Sequence, residues 1–156
     1  MTKREYAKAI AEGERAVALN PGGTSVLVSY AASLAVAGRP EEAIPLFQKA
    51  IRLNPFGPSQ LYRQFGEALR DTGRFEEAVS AYKKAIQRAP DNITAHIHLT
   101  TTYIWMGREK EARAEAAEVL RINPKFSVDS HAKMLSFKDQ SVNDRVVDAL
   151  RKAGLK

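Results

Sequence analysis

The sequence predicts an all-α fold, a right-handed α-solenoid of stacked helical hairpins, and three observations predict it. First, the stretch GRFEEAVSAYKKAIQRAP, from Gly73 to Pro90, recurs in altered form along the chain, with closing prolines Pro21, Pro55, Pro90 and Pro124 standing 34, 35 and 34 residues apart. A fixed period in that range marks helical hairpins, each too small to bury its apolar face alone. Second, apolar residues fall at helical spacing between the punctuating Gly and Pro residues. Third, the 156 residues hold 44% hydrophobic and 27% charged residues and no cysteine, the composition of a soluble globular chain whose core carries stability without staples.

The elements follow in order. Residues 2–20 read as one helix, opened by a capping box of Thr2 and Glu5 and ended by Asn20-Pro21-Gly22-Gly23. Tyr6, Ala9, Ile10, Ala16 and Val17 share one face. Set on the repeat, this is a second helix without its first, so an open, adhesive edge is expected at the front of the chain. A homodimer, a domain swap or an upstream repeat would cover it. Residues 24–57 form the first whole hairpin, turning at Gly38, with Pro40 at the start of its second helix and Pro45 inside it. Residues 59–92 form the second, with Gly66 expected near Ala78 and filling from Phe65, Leu69, Phe75, Tyr82 and Ile86. Arg88, where other copies hold Leu53 and Ile122, is expected to point outward. Residues 93–126 form the third hairpin. Residues 127–156 then give a short helix, a loop LSFKDQ and a helix from Ser141 closed by Gly154, whose Val146, Val147, Leu150 and Ala153 face the array as a cap. The whole, residues 1–156, is expected to be a single domain.

The pattern resembles the tetratricopeptide repeat (TPR). The second hairpin carries it as Tyr62, Phe65, Gly66, Leu69, Gly73, Ala78, Tyr82, Ala85 and Pro90; the first keeps Leu27, Leu34, Gly38, Ala43, Phe47, Ala50 and Pro55; the third keeps Leu99, Tyr103, Gly107, Ala112 and Pro124. Ala31 and Thr100 at the first glycine position, and Val119 at the second alanine, depart from it. A narrower resemblance, in the 35-residue first unit and the ending INPKFSVDS to LSFKDQSVNDRVVDALRKAGL, is to the TPR region that follows class III adenylate or guanylate cyclase domains in bacterial proteins. It implies the regulatory part of a longer chain and carries no nucleotide or metal chemistry.

The resemblance implies a protein-interaction module, a scaffold whose first helices line a concave groove for a partner peptide or helix. The groove positions recur at spacings of 3 and 4. Among them, the residues expected to touch a partner are Val28 and Ala32 in the first hairpin, Gln60, Arg63, Gln64, Glu67 and Arg70 in the second, and Ile97, Thr101, Ile104 and Trp105 in the third. Two alternatives compete there: Arg63, Glu67 and Arg70 can pair along their own helix, and the C-terminal segment can fold over Ile104 and Trp105. The carboxylate clamp of chaperone-binding repeats is excluded, because Val28, Ala32, Gln64, Thr94 and His98 stand at its positions.

Catalysis is not expected. The sequence shows no Ser-His-Asp order, phosphate-cradling loop or paired carboxylates with a catalytic pattern, and Glu41-Glu42 and Glu76-Glu77 sit at helix starts, where acids favour the dipole. His96 and His98, two apart, point to different faces, and lone His131 is expected at the surface, so neither metal nor cofactor is expected. The net charge of +6 has acids interleaved throughout, which reads as solvated helix faces. RNA binding by a helical array remains the distant alternative, opposed by Glu67 and Asp71. No apolar run reaches the ~18 residues of a membrane span, and the start, MTKREYAK, is no signal peptide, so a cytoplasmic location is expected.

Overall fold

A computed structural model describes residues 2–135 and 140–156, and all of its regular structure is helical. The described helices are α1 (Lys3–Leu19), α2 (Thr24–Val36), α3 (Pro40–Leu53), α4 (Ser59–Asp71), α5 (Phe75–Arg88), α6 (Ile93–Trp105), α7 (Glu109–Ile122), α8 (Val128–Ala132) and α9 (Gln140–Lys152). Their bounds follow the punctuation of the sequence. The capping box forms: the Thr2 hydroxyl accepts from the Glu5 amide at 3.3 Å, while the Glu5 carboxylate accepts from the Thr2 amide. Within the hairpins the first helix ends at a left-handed glycine, Gly38, Gly73 or Gly107, with φ of 75 to 81°. There a side chain would crowd the following carbonyl. Helix α3 runs on through Pro45, whose ring lies at the exposed surface.

The chain forms two compact units, residues 1–81 and 82–156, divided inside α5. In the first, α2 packs against α3 and α1, and α4 against α3. Leu27, Ala31 and Leu34 of α2 and Ala43, Phe47 and Ala50 of α3 are at most 1% exposed. The Phe47 ring meets that of Phe65 at 6.1 Å between centroids. The departure at Ala31 therefore costs nothing, since a small buried residue still lets two helices meet. Gly66 and Ala78 are both buried, as the hairpin pattern requires. The Tyr62 hydroxyl reaches the Pro55 carbonyl at 2.5 Å, tying the linker to α4.

In the second unit α6 packs on α7, and α9 packs on α6 and α8. Three consecutive threonines lie buried in α6, and each hydroxyl donates to a carbonyl one turn back: Thr100 to His96 at 2.8 Å, Thr101 to Ile97 at 3.0 Å and Thr102 to His98 at 2.7 Å. Burial of those hydroxyls is thus satisfied within the helix itself. The expected cap is present, with Val146, Leu150 and Ala153 buried along α9, Val147 half-buried, and Leu155 buried beyond them. The Val128 amide donates to the Lys156 carbonyl at 2.8 Å and ties the chain end to α8. Of the expected loop LSFKDQ, residues 136–139 lie outside the described residues.

Candidate functional site

The first helices of the hairpins do carry the anticipated side chains, but burial sorts them into two groups. In the first unit Val28 and Ala32 are half-buried on α2, and Gln60 is exposed at the start of α4. Gln64, one helical turn on, is partly buried, and its Oε1 atom is enclosed with no hydrogen-bond donor in reach. An enclosed acceptor left without a donor costs on the order of 1–3 kcal/mol. Arg63 and Glu67 pair one turn apart through a direct hydrogen bond. Burial pushes the Glu67 carboxyl above the usual carboxylate range, and the charges of Arg63 and Arg70 pull it back down. The pairing along the helix, one of the alternatives open in the sequence, is therefore realised.

Three anticipated residues do not present an open surface. Arg70 is 3% exposed, with its guanidinium on the Asp71 carboxylate at 3.0 Å. Ile97 is 4% and Thr101 1% exposed, the latter with its hydroxyl turned back on its own helix. Spacing places a residue on a helix face but does not say what covers that face, and here the face is covered.

On α6 the end of the stripe is reached by the cap. Trp105 lies beneath the Arg145 guanidinium of α9, 4.7 Å from the ring centroid, while Ile104 is half-buried beside it. A cation over an indole face contributes about 0.5–1 kcal/mol at a partly exposed site. Lys152 adds an ion pair to Glu109 at 3.2 Å, which fastens the other end of α9 to α7. The C-terminal helix thus occupies part of the α6 face.

His96 is 4% exposed and lies between two acceptors: Glu115 Oε2 is 2.6 Å from Nδ1 and the Pro90 carbonyl 2.9 Å from Nε2. The hydrogen bond to Glu115 raises its pKa, desolvation opposes this, and the Pro90 carbonyl adds to the rise. Glu115 is 19 residues away and comes from α7, so spacing along the chain could not reveal it. The recurrence of Pro90 at a fixed repeat position was the only available signal. His131 is half-buried against the Phe126 ring rather than at the surface, and desolvation lowers its pKa. His98 stacks on Tyr82 at 5.8 Å. Among the described residues no three His, Cys, Asp or Glu side chains gather as metal ligands, and no helix is long and apolar enough to cross a membrane.

A groove of about 420 Å³ lies between α1 and α2, lined by Ala9, Gly13, Ala16, Ser25, Ser29 and Ser33, with Glu12 and Tyr30 at its side. Gly13 touches Tyr30 so closely that a Cβ there would lie 2.5 Å from the ring. No residue of α1 is buried.

Two family models, both described as tetratricopeptide repeat, match residues 24–91 and 69–136. Among solved structures the chain is similar to MamA, with a TM-score of 0.75 and 21% identity over 97% of this chain and 88% of that one. It is similar to YrrB, a TPR protein with an unusual peptide-binding site, with a TM-score of 0.68 and 20% identity over 96% and 77% of the two chains. A thermophilic TPR protein of Thermus thermophilus matches with a TM-score of 0.66 and 24% identity over 92% and 72%. These likenesses show the fold. A search of curated proteins gives no match.

Proposed function

Because the chain belongs to the tetratricopeptide-repeat family, we propose that it is a protein-interaction scaffold which holds a partner peptide or helix on the α2 and α4 face of its first unit. The observation that carries this reading is the accessible stripe of α4, where Gln60 is exposed and the paired Arg63 and Glu67 side chains remain 20% and 27% exposed. A peptide laid along α4 meets Gln60 and Arg63 as polar contacts, and Val28 and Ala32 offer apolar surface. YrrB, of the same fold, has a peptide-binding site. The role is binding rather than catalysis, and the narrower resemblance supports a setting as the regulatory part of a longer bacterial protein, in the cytoplasm. Neither nucleic acid nor membrane is needed as a partner.

The test is a randomised-peptide array probed with the full chain and with Gln60→Ala and Arg63→Glu variants. Peptides selected by the parent are expected to bind each variant about tenfold more weakly, the loss of one hydrogen bond or ion pair. Unchanged binding by variants that keep their helical circular dichroism overturns the assignment to α4. A second reading, self-association, is favoured by a separate observation: α1 carries an amphipathic face yet buries no residue. Light scattering at ~100 µM checks it, since a functional interface holds at that concentration.

A further inference from the structure

From the vacant groove and the charges beside it, we infer that α1 is the dimerisation helix: it pairs antiparallel with α1 of a second copy across a two-fold axis near Ile10. The inference rests on the self-association reading and specifies its partner and register.

The repeat shows what the groove is for. One repeat further on, α3 places Ala43, Ile44, Phe47 and Ala50 against α2, all at most 5% exposed. The matching positions of α1 are Ala9, Ile10, Gly13 and Ala16, each only half-buried. Ala9, Gly13 and Ala16 line the groove, opposite Ser25, Ser29 and Ser33 of α2. Small residues on both walls let a helix axis approach closely, and the groove occupies the place of a hairpin's first helix.

The charges decide which helix. Glu5, Lys8, Glu12 and Arg15 recur at steps of 3, 4 and 3, form one stripe flanking that small-residue face, and are all exposed. The stripe alternates acid, base, acid, base. In an antiparallel helix pair, like flanks face each other, so the stripe meets its own reverse. Glu5 then faces Arg15 of the second copy and Lys8 faces Glu12, each contact occurring twice by symmetry. Within one chain Lys8 and Glu12 stand 4.0 Å apart, with side chains 78% and 64% exposed, so that pair is free to re-form across an interface.

Size-exclusion chromatography with light scattering on the full chain, Lys8→Glu, Glu12→Lys and an equimolar mixture of the two variants tests the register. The parent is expected at twice 17.2 kDa at ~100 µM. Lys8→Glu sets two acids against two acids and Glu12→Lys two bases against two bases, so each alone dissociates about tenfold more readily. The mixture is expected to recover parental dimer, since acid again meets base. A parent that dimerises while both variants dimerise equally well overturns the α1 pairing and leaves self-association standing. A variant mixture that fails to recover overturns the pairing too. A monomeric parent overturns both, and assigns the groove to another helix.

Discussion

Replacing Glu115 by Gln is expected to abolish a pH dependence that His96 builds into the second unit. In the parent both ring nitrogens of His96 face acceptors, Glu115 at 2.6 Å and the Pro90 carbonyl at 2.9 Å. A neutral imidazole has one N–H and satisfies only one of them; the imidazolium satisfies both. Glu118 adds a further favourable charge, and burial of the ring is the opposing cost. The folded pKa is therefore raised, so the stabilisation is fully present below the unfolded value near ~6.5 and is lost as pH rises through the folded pKa. Charge-assisted hydrogen bonds contribute about 1.5–3 kcal/mol, and Glu115 is 21% exposed, which favours the lower half of that range. At 156 residues, ~2 kcal/mol corresponds to about 4–8 °C in Tm. A glutamine at position 115 can donate its amide N–H to a neutral ring while Nε2–H still donates to Pro90, so the variant needs no proton. Thermal melts at about pH 6 and about pH 9 should show the parent losing this stability and Glu115→Gln changing little. His131, with its lowered pKa, acts in the opposite sense and only below ~6.5, so the difference between the two proteins isolates His96. Proton NMR titration of His96 gives the direct check. A parental pKa at or below ~6.5, or equal pH dependence in both proteins, refutes the reasoning.

Two further substitutions probe the packing of the first unit. Gly13→Ala gains about 1 kcal/mol of helix propensity, but its Cβ would lie 2.5 Å from the Tyr30 ring and displace the Tyr30–Glu14 hydrogen bond. A net loss of about 1 kcal/mol in urea unfolding is expected, and a gain would show that Tyr30 moves freely. Phe47→Ala removes a side chain that is 0% exposed and tilted against the Phe65 ring; a loss of about 3–5 kcal/mol by the same assay is expected.

The fold was legible because the chain punctuates itself. Pro21, Pro55, Pro90 and Pro124 fix the period, and glycines at 38, 73 and 107 fix the turns. The site was less legible. Stripe spacing named the face of each first helix, yet Arg70, Ile97 and Thr101 proved buried, because one helix's periodicity holds no information about its neighbours. The His96–Glu115 bond joins two helices across 19 residues, and the Arg145–Trp105 contact joins α9 to α6. Neither spacing has a signature, since hairpin geometry rather than local pattern brings those residues together.

Polar satisfaction separates the first helices more sharply than their sequence stripes do. Helix α6 buries three threonine hydroxyls and answers each with its own carbonyl, and its Trp105 is already under Arg145. Helix α4 instead leaves Gln60 exposed and the Arg63 and Glu67 side chains 20% and 27% exposed, charge within reach of an incoming chain. By the same reasoning α1, with a self-complementary stripe and no buried residue, is the surface for a second copy. Ligand on α4 and copy on α1 share α2 but use different residues of it, Val28 and Ala32 against Ser25, Ser29 and Ser33, so variants at Arg63 and at Lys8 should each impair one association and spare the other.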